Sequence, residues 1–454
     1  MPAFAGMTRW EAEAELPDSM EVLYSLSVMP SLLIKNGRVL SPEDKLDGEL
    51  DVLIEDGVIR QIAPNLTVPA DETLDARGQI VAPGLVDIHV HLREPGGEIS
   101  ETLETGLQAA VAGGFTAVCP MPNTKPIIER PELVRATIEK AQKLGLARVF
   151  PIAAVSMGSQ GESLVDMAPL VAAGAVAFSD DGRPVKTAGL LRRALEKAKS
   201  LGVPIIDHCE DPSLSMSGVI NEGPVAERLK LRGVPNSSED VCVARDLIVA
   251  EATGAHVHIA HLSTARAVEM VRVGKRRGIR VTCEVTPHHF TLTDEAVAQY
   301  GTNAKMNPPL RSAKDLEAVL AGLADGTVDA IATDHAPHAP ELKAKSLAEA
   351  PNGVIGLETA LGLALTHLVH AGRISFAHLV VLMSTNPARL INQPLGRLQV
   401  GGAADITVFN PNLEWTYRAA AGRSKSRNSP FDGWTLKGAA TVTIVGGRIV
   451  YRRT

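Results

Sequence analysis

The sequence predicts an α/β protein: a closed, TIM-like (β/α)8 barrel with a small β-sandwich domain built from both ends of the chain. Three observations support this prediction. Eight short apolar runs alternate with helix-like segments, strand-like segments occur at both chain ends, and metal-ligand side chains follow several of the eight runs. Alternating strands and helices are typical of parallel β/α units, and eight such units can close into a barrel.

The eight runs are rich in β-branched and apolar residues, as expected of strands in a parallel sheet. They are residues 80–90 (IVAPGLVDIHV), 115–122 (FTAVCPMP), 147–156 (ARVFPIAAVS), 175–180 (AVAFSD), 204–209 (PIIDHC), 256–263 (HVHIAHLS), 280–287 (RVTCEVTP) and 329–335 (DAIATDH). Residues 100–114 and 189–202, between these runs, are predicted to be helical. The second segment has apolar residues at helical spacing and ends at a glycine.

Both ends of the chain have a different pattern. Short antiparallel strands joined by glycine turns are predicted there, at residues 32–40, 51–63, 404–411 and 439–452. We therefore predict a composite β domain of residues 29–80 and 396–454 around a catalytic barrel of residues 81–395. Within the β domain, residues 424–430 (SKSRNSP) are expected to form a surface loop. Residues 1–28 fit neither unit, and we expect a disordered tail or an over-extended translation start.

Composition narrows the function classes. The formal net charge is -7 and no basic tract occurs, which argues against a nucleic-acid or membrane surface and suits a small-molecule partner. The four cysteines include no C-x-x-C pair, so we expect reduced thiols and a cytoplasmic protein. The segment before Ser31 is acidic near its start and has no long apolar stretch, so neither a signal peptide nor a membrane span is expected.

The first run ends in two histidines. In a parallel barrel the chemistry is built at the carboxyl ends of the strands. Period-two alternation places His89 and His91 on the same strand face, inside the barrel, where two unpaired imidazoles would be costly to bury. A shared metal ion is the favoured interpretation, although H-x-H also occurs by chance on surface strands.

Other runs end in residues of the same chemical types. Asp180 and Asp181 end the fourth run, His208 the fifth, His261 the sixth and Asp334 the eighth. Each has an alternative interpretation, because Asp-Asp-Gly is an ordinary turn and a lone histidine after an apolar strand is more often a hydrogen-bonded core residue. A buried carboxylate at position 334 needs a cation or strong donors to remain ionised.

The remaining histidines near these runs are less informative. His256 and His258 share one strand face and are interpreted as structural or outward-facing. His288 and His289 fit a ligand role or a structural role, with the structural role favoured. His335 and His338 follow within reach of the same rim.

Four imidazoles and two carboxylates together suit Zn²⁺ or a similar divalent ion, because nitrogen and oxygen donors without thiolates are typical of such sites. A metal ion of this kind lowers the pKa of bound water toward neutrality. Metal-assisted hydrolysis of a carbonyl compound is therefore the predicted reaction class.

Eight motifs resemble those of the class I bacterial dihydroorotases, a family of the amidohydrolase superfamily. They are DIHVHLREPG, MPNT, FSDDG, DHCED, AHLST, EVTPHH, KMNPPLR and IATDHAPH, and the resemblance extends from about Leu32 to the C-terminus. H-x-H occurs across the whole superfamily, whereas HLREPG, KMNPPLR and ATDHAPH together are highly specific.

The resemblance implies residue roles. One or two Zn²⁺ ions per subunit would be held, with Asp181 bridging, by His89, His91, Asp181, His208, His261 and Asp334. Substrate contacts would come from His91, Arg93, Asn123, Asn307, His338 and Gly353. Family members commonly have Pro-Phe-Gly where this chain has Pro351-Asn352-Gly353, so the side chain at position 352 departs from the family pattern. Arg93 suits a substrate carboxylate because a guanidinium forms charge-assisted, directional hydrogen bonds with it.

The implied reaction is the reversible hydrolysis of L-dihydroorotate to N-carbamoyl-L-aspartate in pyrimidine biosynthesis, with Asp334 transferring the proton. Residues 303–311 and 338–353 are candidate covering loops. The resemblance also implies a homo-oligomer, and a complex with aspartate carbamoyltransferase is compatible with it.

Two rival functions remain open. A hydantoinase or allantoinase is one, but many such relatives hold their metals with a carboxylated lysine, and the strand AVAFSDDG has no lysine. The other is a catalytically silent subunit that acts as a scaffold for aspartate carbamoyltransferase, which would be expected to have lost metal ligands.

Overall fold

A computed structural model describes residues 30–454, so the prediction for residues 1–28 lies outside the described range. The chain has a mixed α/β fold with two main β systems, one of parallel strands and one formed by both chain ends. Among residues 30–454, no helix is both long enough and apolar enough to cross a membrane.

The strands are numbered in chain order. They are β1 (Leu32–Ser41), β2 (Leu46–Glu55), β3 (Val58–Ala63), β4 (Glu72–Asp75), β5 (Ile80–Pro83), β6 (Leu85–Val90), β7 (Phe115–Pro120), β8 (Arg148–Val149), β9 (Ile152–Ala153), β10 (Ala177–Phe178), β11 (Ile205–Asp207), β12 (Ile220–Asn221), β13 (Gly233–Val234), β14 (Val257–Ile259), β15 (Val281–Val285), β16 (Ala330–Ile331), β17 (Ile406–Thr416), β18 (Thr435–Val445) and β19 (Arg448–Arg452).

The α-helices are numbered in the same way. They are α1 (Leu103–Ala112), α2 (Pro131–Leu144), α3 (Met167–Ala172), α4 (Ala188–Leu201), α5 (Pro212–Ser215), α6 (Pro224–Leu229), α7 (Ser237–Thr253), α8 (Ala265–Arg276), α9 (Glu295–Tyr300), α10 (Ala313–Asp325), α11 (Pro340–Lys343), α12 (Ala360–Ala364), α13 (Phe376–Val380) and α14 (Asn386–Leu390). Both predicted helices are present as α1 and α4. Thr187 caps the start of α4 by accepting a hydrogen bond from the backbone N–H of Leu190, and Gly202 ends it in the left-handed conformation.

Each of the eight predicted runs contributes to the parallel system. One parallel sheet has the order β6-β7-β8 and a second has the order β9-β10-β11-β14-β15-β16. β8 and β9 are two parts of one run, separated by Phe150 and Pro151. A parallel bridge between Val90, at the end of β6, and His335, shortly after β16, joins the last run to the first. The carboxyl ends of the strands therefore lie at one rim.

The first predicted run is two strands rather than one. β5 pairs with β1 and β17 in the sheet formed by the chain ends, whereas β6 pairs with β7. Gly84 separates them, and a Cβ atom at this position would collide with the side chain of Thr116. The chain thus leaves the terminal sheet after Pro83, beyond the expected boundary at residue 80.

The chain ends meet in one sheet with the order β19-β18-β17-β5-β1-β2-β3, and β4 pairs with β1. The pairing of β17 with β5 unites the two ends of the chain, as predicted. Most pairs are antiparallel, but β1 runs parallel to β4 and β5, which the sequence did not predict. The sheet has a hydrophobic core of its own, which includes Ile34, Val52, Ile406 and Ile444.

The prediction of a surface loop at residues 424–430 is wrong. Ser424, Ser426 and Asn428 are buried, and their polar groups have partners. The hydroxyl of Ser424 donates to Glu101, and the Asn428 side-chain amide donates to the backbone oxygen of Ala336 at 3.0 Å. The polar composition of the segment reflects satisfied buried hydrogen bonds rather than exposure to water.

Candidate metal centre and catalytic cavity

His89 lies near the carboxyl end of β6 and His91 directly follows this strand, and both side chains are buried. In each imidazole, Nδ1 contacts a neighbouring polar side chain. Nδ1 of His89 lies 2.5 Å from Oε1 of Glu284, and Nδ1 of His91 lies 3.0 Å from Oδ1 of Asn123. This arrangement directs both Nε2 atoms toward the aspartates of the site.

Asp181 lies among the imidazoles. Its Oδ1 atom is 3.3 Å from Nε2 of His89, 3.7 Å from Nδ1 of His208 and 3.7 Å from Nε2 of His261. Its Oδ2 atom is 3.4 Å from Nε2 of His91. One carboxylate therefore faces all four histidines.

The neighbouring aspartate has a different environment. Asp180 accepts hydrogen bonds from the backbone N–H groups of Val155 and Ser156 at 2.9 and 3.0 Å, and from the Ser156 hydroxyl. These donors stabilise the turn after β10. Of the two acidic residues in FSDDG, only Asp181 contacts the histidines.

Asp334 completes the opposite side of the cluster. Its Oδ1 atom is 3.0 Å from Nε2 of His91 and 3.6 Å from Nε2 of His89. Asp334 and His261 both have positive φ angles, of 46° and 33°, as does Arg93 at 59°. Such conformations cost about 1–3 kcal/mol each in non-glycine residues and are concentrated at functional sites.

His208 joins the cluster but is held by protein groups on both ring nitrogens. Nδ1 lies 2.8 Å from Nε2 of His261, and Nε2 lies 3.0 Å from Oε2 of Glu210. Asn307 donates to the same Glu210 oxygen at 2.6 Å. Asn307 therefore lies beside His208, and Glu210 contacts both side chains. Glu210 was not among the residues predicted from the sequence.

The donor set fits a divalent metal ion. Two overlapping triads, His89–Asp181–His261 and His89–His91–Asp334, each bring three ligand atoms within 4.8 Å of one another, and all these side chains are buried. Among residues 30–454, Nε2 of His89 and Nδ1 of His261 have no hydrogen-bond partner. A buried polar nitrogen without a partner is costly, and nitrogen and oxygen donors suit zinc-like ions.

The carboxylates and imidazoles of the cluster shift one another's pKa values. Burial alone would raise the pKa of Asp334, but the hydrogen bond with His91 and the charge of His89 lower it to about 2. Burial opposes protonation of His89, yet the carboxylates of Glu284 and Asp181 raise its pKa well above the ordinary value. The carboxylates thus stay ionised and require positive charge between them, which imidazolium or a metal cation can supply.

Glu284 is a site residue that sequence reasoning missed. It is fully buried on β15, and in addition to His89 it contacts Nε2 of His258 at 3.2 Å. A carboxylate that accepts the Nδ1 proton of a metal-ligand histidine fixes its tautomer and presents Nε2 to the metal. The signal was available, because a glutamate in the middle of the apolar run RVTCEV needs a buried partner.

Four other histidines have structural partners, whereas Nε2 of His288 has no hydrogen-bond partner within residues 30–454. His256 and His258 share Thr282, each with a ring nitrogen 2.8 Å from its hydroxyl, in agreement with their predicted common face. His289 contacts the Thr286 hydroxyl and the backbone oxygen of Pro308. Like these, His335 does not line the cavity at the cluster. Its ring nitrogens contact Glu101 and the backbone N–H of Gly356.

A cavity of about 180 Å³ opens beside the cluster. Its lining includes the predicted contact residues Arg93, Asn123, Asn307, His338 and Gly353. Arg93 donates through Nε to the backbone oxygen of Pro337 at 3.1 Å, and Nη2 lies 3.3 Å from Nε2 of His338. Burial lowers the pKa of Arg93 to about 10, and the guanidinium forms no ion pair within residues 30–454.

Gly353 lines the cavity, but its backbone groups already have partners. Its N–H donates to the backbone oxygen of Lys305 at 2.9 Å, and its oxygen accepts hydrogen bonds from Lys343 and Asn428 at 3.0 Å. Its φ of +120° and the close approach to Ala336 require glycine. The conformation of this residue is therefore fixed by the protein.

Comparisons with known proteins find dihydroorotases by sequence and a hydantoinase by structure. Residues 78–267 match a family profile described as "Dihydro-orotase-like". The dihydroorotase of Geobacter sp. (strain M21) is 52% identical over 423 residues, covering 93% of this chain and 99% of the relative. That of Pelotomaculum thermopropionicum is 52% identical over 419 residues, covering 92% and 98%. Among solved structures, the L-hydantoinase (dihydropyrimidinase) of Arthrobacter aurescens is similar with a TM-score of 0.84 and 27% identity, covering 93% and 96%.

Proposed function

The chain belongs to the dihydroorotase family of the amidohydrolase superfamily, and on that premise we propose that it interconverts L-dihydroorotate and N-carbamoyl-L-aspartate as a metal-dependent cyclic amidohydrolase. In biosynthesis the ring is closed, and in the reverse direction water opens it. The reaction belongs to the de novo synthesis of pyrimidines.

One observation carries the proposal. A buried cluster of four histidines and two aspartates adjoins a cavity whose lining includes Arg93, which has no carboxylate partner in the described chain. The cluster suits activation of water, and the guanidinium suits the carboxylate of dihydroorotate. A neutral cyclic amide would leave this buried cation unpaired.

The proposed metal ligands are His89, His91, Asp181, His208, His261 and Asp334. The ion is proposed to be Zn²⁺, one or two per subunit, because the donor set contains imidazole and carboxylate but no thiolate. When bound, such an ion supplies Lewis-acid polarisation of the carbonyl and lowers the pKa of water. Glu284 would orient His89 through their hydrogen bond.

The chain's own residues supply binding and proton transfer. Arg93 binds the substrate carboxylate, with Asn123, Asn307 and His338 around the same cavity. In ring opening, Asp334 accepts a proton from the attacking water and passes it to the leaving ring nitrogen. In ring closure, it removes the proton from the amide nitrogen. His91, 3.0 Å from Asp334, positions this carboxylate and lies beside the substrate site.

Hydantoin hydrolysis is the second candidate, since the hydantoinase of Arthrobacter aurescens shares the fold. The fourth run favours the first candidate, because AVAFSDDG (residues 175–182), which includes β10, has two aspartates and no lysine. Unpaired Arg93 also favours a carboxylate-bearing substrate. A catalytically silent scaffold subunit is disfavoured, because such a subunit would be expected to have lost metal ligands and this chain retains all six proposed ones.

Further features belong to the same proposal. The parallel strands form a closed (β/α)8 barrel, and the terminal sheet forms a small β-sandwich domain from residues 30–83 and 396–454. We also propose a cytoplasmic location and a homo-oligomer that can associate with aspartate carbamoyltransferase.

Substrate selectivity tests the proposal. Purified protein is assayed for opening of dihydroorotate, hydantoin and allantoin rings under identical conditions. We expect kcat/KM for dihydroorotate to be higher by at least about a hundredfold. Equal or faster turnover of hydantoin would favour the second candidate, and absence of turnover with every substrate would favour the scaffold.

A further inference from the structure

The two candidate covering loops contain two lysines that are almost completely buried. Lys305 is 5% exposed and Lys343 is 6% exposed. Neither forms an ion pair with a carboxylate of residues 30–454. Burying a charged side chain without a counter-ion is costly, so the two ammonium groups need a compensating role.

Both lysines donate to backbone oxygens of one short segment, residues 350–353, which we call the wall. Nζ of Lys305 donates to the oxygen of Ala350 at 2.6 Å. Nζ of Lys343 donates to the oxygens of Pro351 and Gly353, each at 3.0 Å.

The remaining backbone oxygens of the wall also accept hydrogen bonds. Nε2 of His338 lies 2.7 Å from the backbone oxygen of Asn352, and the Asn428 amide donates to that of Gly353. All four carbonyl groups of the wall therefore accept hydrogen bonds from side chains outside it. The wall is therefore held by hydrogen bonds to each of its four residues.

The wall is close to the proposed substrate carboxylate site. Asn352 and Gly353 line the cavity together with Arg93 and His338. His338, which contacts the wall through Asn352, has the same Nε2 atom 3.3 Å from Nη2 of Arg93. A shift of the wall would therefore be transmitted to the residues around the guanidinium.

We propose that Lys305 and Lys343 are positioning residues that hold the wall against the anion-binding end of the cavity. This inference rests on the proposed function. The two lysines fix the position of His338 and Gly353 relative to Arg93, which binds the substrate carboxylate in the proposed reaction.

The first test measures the wall without reference to activity. Amide hydrogen exchange of full-length protein is followed by mass spectrometry for wild type, Lys343→Met, Lys305→Met and the exposed control Lys345→Met. We expect exchange in peptides covering residues 344–355 to be faster by about tenfold or more in the two buried-lysine variants, with β6 unchanged. Exchange at the wild-type rate in both variants would overturn the proposal.

The second test separates positioning from general stability. In metal-loaded protein, KM for dihydroorotate should rise by about ten- to a hundredfold in Lys343→Met, while kcat and metal content stay within about twofold. Lys343→Arg should recover part of the loss, and Lys345→Met should match wild type. An unchanged KM, or a fall in metal content that accounts for the loss, would overturn the assignment.

The two proposals fail separately. If wild-type protein does not turn over dihydroorotate, the proposed function is wrong, and hydrogen exchange alone decides whether the lysines hold the wall. If Lys343→Met does not fold, Lys305→Met and Lys343→Arg provide the same two measurements.

Discussion

Glu284 and His89 are joined by a hydrogen bond of 2.5 Å between Oε1 and Nδ1, and both side chains are fully buried. This contact leaves Nε2 of His89 facing Asp181 and Asp334. It connects a residue in the middle of β15 to the histidine shared by both candidate metal triads.

Replacing Glu284 should weaken metal binding. In Glu284→Gln the neutral amide no longer favours the Nδ1–H tautomer of His89 as strongly, so metal affinity should fall by about 10- to 100-fold. Competition with a chromophoric chelator measures this directly. Glu251→Gln, an exposed glutamate on α7, is the control. If Glu284→Gln binds metal with unchanged affinity, the Glu284 carboxylate does not contribute to metal binding.

Arg93→Ala should mainly impair substrate binding. Loss of charge-assisted hydrogen bonds to the carboxylate should raise KM for dihydroorotate by about 10- to 100-fold, with a smaller change in kcat. Steady-state kinetics are compared with Arg135→Ala, which removes an exposed arginine from α2. If KM stays at the wild-type value, the substrate carboxylate binds elsewhere.

Asp334→Asn should nearly abolish turnover while the fold is retained. The amide cannot accept the proton from water, and general acid–base catalysis contributes about 10²- to 10⁴-fold. Turnover is measured together with thermal unfolding and metal content, because Asp334 is also a proposed ligand. A near-normal rate with full metal content would exclude Asp334 from proton transfer.

Lys343 should make stability depend on pH. Burial, followed by the charge of Lys305, lowers the pKa of Lys343 from 10.5 to about 7. Between these values the unfolded chain binds more protons than the folded chain, so the contribution of Lys343 to the free energy of unfolding rises with pH. Below pH 7 the penalty of burying the charged amine is fully present.

Urea unfolding at about pH 6 and about pH 9 checks this linkage. The difference in unfolding free energy between wild type and Lys343→Met should shift in favour of wild type at the higher pH. The exposed control Lys345→Met should show no such shift. Parallel pH profiles for wild type and Lys343→Met would show that Lys343 keeps its ordinary pKa.

Much of the fold could be predicted because hydrophobic periodicity is a local signal. The eight runs and the strands at both chain ends are visible in the sequence, and the carboxyl-end rule brings His89, Asp181 and Asp334 to one rim. The split of residues 80–90 at Gly84 could not be predicted. It depends on a close approach to Thr116, which is distant in sequence.

The supporting residues were harder to identify because their roles depend on partners from other strands and loops. Glu284 contacts a histidine 195 residues away, and Asn428 contacts Gly353 from a segment whose composition suggested a surface loop. Lys305 begins the KMNPPLR motif, but nothing in the sequence indicated that Lys305 or Lys343 contacts the wall. Polar residues of this kind are recognised from burial and hydrogen bonding, which periodicity does not reveal.

The dependence of ring opening on metal shows whether the histidine–aspartate cluster acts as a catalytic metal centre. Purified protein is assayed on dihydroorotate before and after removal of metal with a chelator, with parallel metal analysis and re-addition of Zn²⁺. We expect loss of activity on chelation and recovery as about one or two ions per chain rebind. Full activity in protein shown to be free of metal would contradict it.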